Sequence, residues 1–126
     1  MGQHPVRRIE VDGRTMVWRH YRRDDLTAGV RVPQVHVALF EEGLPRSRLQ
    51  IVFREAPPWR VVGLADGIVW REGGPGAYNL NRPAVIEALA RHALTHGWRP
   101  AEDRRPMLIP DGLGILAAGE VPTGWE

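Results

Sequence analysis

Between Leu80 and Pro100 the chain reads LNRPAVIEALARHALTHGWRP, the one stretch whose apolar residues recur at helical spacing. Its ends are marked by residue chemistry. Asn81 suits an N-cap, Pro83 falls in the first turn where a missing N–H costs nothing, and Leu80 just outside can act as a hydrophobic staple. At about 100° per residue, Val85, Ile86, Leu89 and Ala93 share one arc, with Glu87, Arg91 and Thr95 opposite. Gly97 suits the left-handed position after a helix, Trp98 can fold back on Ala93, and Pro100 forbids resumption. The pattern predicts a single amphipathic helix over about residues 82–96. A helix with one apolar face must bury it against something, and the rest of the chain offers strands.

The clearest of these come first. RRIEVDGRTMVWRHY alternates on both sides of Asp12-Gly13, the pair that supplies the positive φ angles of a two-residue hairpin turn. That turn sets Val11 opposite Arg14, Ile9 opposite Met16 and Arg7 opposite Trp18, with Ile9, Val11 and Met16 on the apolar side and Arg7 over the Trp18 ring. DDLTAGVRVP reads as a turn-rich connection. QVHVALF is a third strand with Val35, Val37 and Leu39 on one face, and RLQIVFRE a fourth, pairing with the third. WRVVGLADGIVWRE is expected to form a smaller hairpin around Asp66-Gly67 that continues the meander. GGPGAYNLN reads as loop, RPMLIP as a last short strand, and DGLGILAAGEVPTGWE as a partly ordered tail. The expected fold is α+β: an antiparallel β-meander of about five to seven strands, packed on one face by the single C-terminal helix. Its 126 residues suit one domain, with residues 1–5 and about 117–126 as loosely ordered ends.

Three pieces, IEVDGRTMVW, LNRPAVIEALARHALTHGWRP and PMLI, resemble a group of small uncharacterised bacterial α+β proteins. In that group a strand, an Asp-Gly turn and an aromatic strand lead to a Thr-Pro-started helix ending Ala-Gly-Trp-Asp-Pro. The chain departs from it at Asn81-Arg82-Pro83 and at Arg99. The resemblance implies the fold and carries no functional residue.

Composition then removes chemistries. All 17 basic residues are arginine, so a Schiff-base lysine, a P-loop lysine and a lysine base are excluded. Cysteine is absent, which removes disulfides, thiolate nucleophiles and sulfur-ligated zinc. The one serine, Ser47, lies in LPRSRL without a nucleophile elbow. Asp24-Asp25 and Glu41-Glu42 lie in apparent turns, and nothing opposes them across a cleft. No apolar run is long enough for a membrane span, and no apolar segment follows the N-terminal charges, so a cytoplasmic location is the expectation.

Three functional readings survive. The leading one is a small non-catalytic bacterial module, of adaptor or immunity type, binding another protein through Trp59, Arg60, Trp70 and Arg71, since tryptophan with arginine is the composition of interface hot spots. The second is nucleic-acid binding by the arginine-rich hairpin, with Arg7, Arg19, Arg22 and Arg23 on phosphates and Trp18 and Tyr21 stacking on bases. The third is a metal-dependent activity at His92 and His96, four apart on the helix, with His36 or Asp103 as a third ligand. On the helical wheel both imidazoles are expected to lie against the sheet, and the peptidase glutamate after the first histidine is missing. No cofactor is implied, and a homodimer by strand addition is open to an unpaired sheet edge.

Overall fold

The computed structural model describes residues 6–61, 66–74 and 76–125. The chain is mixed α+β. Its main sheet has five strands in the order β1 (Arg7–Val11), β2 (Arg14–Arg22), β5 (Gln34–Glu41), β6 (Leu49–Arg54) and β10 (Met107–Ile109). The first hairpin has the register the Asp-Gly turn dictates, Arg7 opposite Trp18 and Ile9 opposite Met16. Asp12 and Gly13 both take positive φ, 50° and 78°, and the Arg7 guanidinium lies 5.5 Å from the Trp18 ring centre. β5 pairs antiparallel with both β2 and β6.

The layer departs from the expected meander at its far edge. β10 runs parallel to β6, because the chain returns to the sheet only after a long crossover that includes helix α1 (Pro83–Thr95). The segment expected to continue the meander instead builds a second, three-stranded sheet: β7 (Trp59–Arg60), β8 (Ile68–Arg71) and β9 (Ala77–Asn79). Residues 62–65, in the first arm of this expected hairpin just before its Asp66-Gly67 turn, lie outside the described residues. β9 falls within the stretch read as loop. The turn-rich connection holds a two-stranded ribbon, β3 (Asp25–Thr27) and β4 (Val30–Val32). Its turn puts Ala28 at φ 52°, a conformation alanine does not advertise.

Two helices, where one was expected, cover the main sheet on the same side. Five strands about 4.8 Å apart make a layer about 19 Å across, while a helix with its side chains is only about 10–12 Å wide. Helix α1 packs towards β1, and α2 (Gly112–Ala117), in the segment read as a tail, packs against β6. Leu113, Ile115, Leu116 and Val121 thereby join Val85, Ile86, Leu89, Ala93, Trp98 and the inward residues of the strands in one buried cluster.

The ends of α1 divide between expectation and correction. At the C-terminus Gly97 is left-handed and the Trp98 amide donates to the Ala93 carbonyl at 2.9 Å, as a Schellman cap requires. At the N-terminus the cap residue is Arg82, with no side-chain capping bond. Asn81 is diverted: its Oδ1 lies 2.7 Å from Nε2 of the buried His20, and its Nδ2 donates to the Asp66 carbonyl and to Asn79 Oδ1. A tertiary partner has displaced the local one.

Candidate functional site

Because strand residues alternate in direction, the face of the main sheet opposite the helices can be assembled from the register. Across β2, β5, β6 and β10 it presents Val17 beside Phe40, then Arg19, Ala38, Gln50 and Leu108 in one row, then Tyr21, His36 and Val52 in the next. The described residues place no helix on this face, and Leu108 is 60% exposed. Apolar residues interrupt what an ordinary solvated face would make polar. Val6, Val17, Ala38 and Phe40 line a hollow of about 270 Å³ bordered by Arg19 and Arg48. Neither arginine has a carboxylate partner among the described residues, whereas Arg8, Arg22, Arg54 and Arg60 each sit against one.

Beside the hollow lies a closed polar network. The Tyr21 and His36 rings stack 5.2 Å apart, and the Arg19 guanidinium sits 5.0 Å from the Tyr21 centre. Gln50 Nε2 donates to His36 Nδ1 at 2.7 Å and approaches the Tyr21 hydroxyl at 3.3 Å, while His36 Nε2 donates to Gln34 Oε1 at 3.0 Å. This pattern satisfies a neutral imidazole on both nitrogens. Burial, and next the charge of Arg23, hold His36 below the ordinary imidazole value. A histidine so engaged has no free lone pair to act as a base; it stiffens the face.

The residues expected to bind protein do not form one patch. Trp59 pairs with Arg71 and Arg60 with Trp70, so the two tryptophans belong to opposite faces of the small sheet. Trp59 tilts against Tyr78 at the edge of the core, and Arg60 is held between Glu55 and Glu72. The nucleic-acid set is dispersed as well. Trp18 is 2% exposed and therefore unable to stack on a base, Arg7 donates to the Asn81 carbonyl, and Arg22 is engaged by Asp24. Only Arg19, Tyr21 and the exposed Arg23 stay near the open face. Val17, Phe40 and Arg48 were overlooked, although one signal was present: Phe40 is apolar in phase with His36 and Ala38, the positions a one-sided strand would give to solvent.

His92 and His96 lie towards the C-terminal segment at Glu120 and Pro122, correcting the expectation that they turn to the sheet: His96 is exposed and His92 largely covered, 19% exposed. The helix ends at Thr95, and His96 is its C-cap at φ −105° and ψ 22°, so a helical wheel no longer describes it. The two rings stack 4.0 Å apart, His96 Nδ1 donates to the His92 carbonyl, and His92 Nδ1 lies 3.9 Å from Glu120. They border an open hollow of about 520 Å³ with Glu87, Thr95 and Pro122. Stacked rings do not aim their lone pairs at one point, and among the described residues no three His, Asp or Glu side chains gather as a metal site. Neither His36 nor Asp103 joins the pair.

The pair does carry a pH dependence. Burial, then the neighbouring His96, hold His92 below the usual imidazole value, with Glu120 opposing. The unfolded chain therefore binds the proton more readily than the folded one. This contribution to stability is complete above about pH 6.5 and is lost as pH falls below it. His36 acts with the same sign. Thermal melts should show a midpoint that drops between pH 7 and pH 5, and His92→Gln should flatten part of that drop; an identical slope in the variant would remove His92 from the account.

No helix among the described residues is long and apolar enough to cross a membrane. Comparison of the chain with protein-family models, with curated proteins and with solved structures finds no match.

Proposed function

We propose that the chain is a small non-catalytic recognition module that docks an acidic protein surface on the open face of its main sheet. The observation that carries this is the hollow of Val17, Ala38 and Phe40 bordered by Arg19 and Arg48, two guanidinium groups without carboxylates of their own. An apolar centre with an arginine rim is the composition of interface hot spots, and guanidinium forks match carboxylates in pairs. A protein partner is favoured over single-stranded nucleic acid because a strand of bases needs a row of free rings, and on the open face Phe40 stands alone among apolar side chains while the other rings are engaged. Tyr21 already lies between His36 and Arg19, and Trp18 is buried. The neutral, bond-satisfied His36 network supports the absence of acid–base chemistry.

Capture from an extract of the native host is the test. Wild type is compared with Arg19→Glu/Arg48→Glu, with Phe40→Ala, and with Trp59→Ala/Trp70→Ala. The charge reversal should weaken capture at least about tenfold, or 1.4 kcal/mol. Phe40→Ala should also weaken it, and the tryptophan pair should leave it unchanged. Added salt should loosen the complex and nuclease should not. Capture that survives charge reversal, or bound material that nuclease removes, would overturn the assignment. Sedimentation of the purified chain separates a second copy, added at the outer strands β1 or β10, from a different partner.

A further inference from the structure

Beyond the docking face, a second hollow of about 430 Å³ opens between the 3-10 turn Pro45–Ser47 and the loop at residues 100–105. Its lining includes Arg46 and Arg104, the main chain around Gly43 and Leu44, and Pro100 and Ala101, with no carboxylate among the lining residues. Neither arginine has an ion pair or hydrogen bond among the described residues. Of the acids flanking these segments in the chain, Glu42 pairs with Arg8 and Glu41 lies 3.9 Å from Arg14. Glu102 pairs with Arg99, and Asp103 meets the hollow's floor through its carbonyl, which accepts the Ser47 hydroxyl.

The two walls are fastened together beneath the arginines. Besides the Ser47–Asp103 bond, the buried Trp98 donates its Nε1–H to the Ser47 carbonyl at 2.8 Å and the Met107 amide donates to the Arg48 carbonyl, while within the second wall the Asp103 amide donates to the Arg99 carbonyl. Two arginines from separate segments thus line one hollow whose walls are tied together beneath them. Exposed like charges held together repel, so the arrangement gains most from a ligand carrying at least two negative charges and several acceptor oxygens.

From this we infer that the cleft is an anion site in which Arg46 and Arg104 grip a terminal phosphate or diphosphate group. The volume admits a diphosphate or the phosphate of a small ester. Neither arginine borders the Phe40 hollow, so the site does not depend on the docking assignment.

The test is a titration of the full chain with inorganic pyrophosphate, followed by amide chemical shifts and calorimetry, with ionic strength held constant by sodium chloride. Saturable shifts should be confined to residues 43–48 and 98–105. Arg46→Ala and Arg104→Ala should each weaken binding about tenfold or more, and the lysine replacements should recover only part, since an ammonium lacks the planar fork. Arg82→Ala, which removes an exposed arginine elsewhere, should bind as wild type does. All three side chains are exposed, so the variants are expected to melt as wild type does. Inorganic phosphate, phosphoserine and adenosine monophosphate then separate the sources: equal affinity identifies the free anion, and a gain with one ester identifies phosphate borne on that group. Shifts that fail to saturate and spread over every exposed arginine, or an unchanged affinity in Arg104→Ala, would overturn the site.

Discussion

Trp98→Ala is expected to destabilise the protein by about 3–5 kcal/mol, a large share of the about 5–15 kcal/mol that holds a domain folded. Trp98 is 2% exposed and sits where three elements meet: the end of α1, the 3-10 turn and the buried cluster. Its indole fills the core while its N–H satisfies the Ser47 carbonyl at 2.8 Å. The two contributions can be separated. Trp98→Phe keeps most of the apolar contact and strands that carbonyl, at a cost of about 1–3 kcal/mol. Trp18 is the control, equally buried but with an indole nitrogen that finds no hydrogen-bond partner among the described residues. Trp18→Phe should therefore be milder than Trp98→Phe in urea denaturation. Equal losses would mean the Ser47 bond contributes nothing. Because the same bond anchors the 3-10 turn, Trp98→Phe should also weaken pyrophosphate binding without touching either arginine.

The second large effect is expected at Gly112, the first residue of α2. Helix propensity alone favours alanine there by about 1 kcal/mol. Packing opposes it: a Cβ would stand 2.7 Å from the Phe53 ring and 2.9 Å from the Val52 carbonyl. The ring could shift, but the carbonyl belongs to the backbone of β6, held in register against β5, and cannot. Overpacking of this kind costs about 1–3 kcal/mol, so the clash wins and Gly112→Ala should destabilise. The loss should be local first, with faster amide exchange in residues 113–121 as Leu113, Ile115 and Leu116 lift from β6. A stabilised Gly112→Ala would show that α2 is held by its own helicity and not by its seat on the strand.

Much of the structure was legible wherever neighbours along the chain decide it. The Asp12-Gly13 turn sets the register of the first hairpin because a two-residue loop permits only one pairing. Gly97, Trp98 and Pro100 end α1 through bonds that span only a few residues. The buried face of α1 follows from its period. By contrast, three-residue strands such as β9 have too little pattern to announce themselves; β9 exists because β8 offers it an edge. The apolar residues of α2 were visible in GLGILAA but had no assigned surface until β6 and Phe53 supplied one.

The candidate site divides along the same line. Arg19, Tyr21 and Arg23 could be named from the hairpin, and Phe40 carried a signal in its phase. That Arg19 and Arg48 share a hollow, or that Arg46 and Arg104 do, could not be read from positions so far apart in the chain. That Trp59 and Trp70 lie on opposite faces was equally hidden, since it follows from the pairing of Trp59 with Arg71. Local residue order by itself determined the α+β class, the first hairpin and the C-terminal stop of the long helix, since turn geometry and helix capping act over a few residues; the N-terminal cap it assigned to Asn81 was overridden by a tertiary partner. The tertiary structure alone decided which face stayed open, which arginines were left without carboxylates and where the histidines point, because charge pairing and burial depend on distances between segments that only folding brings together.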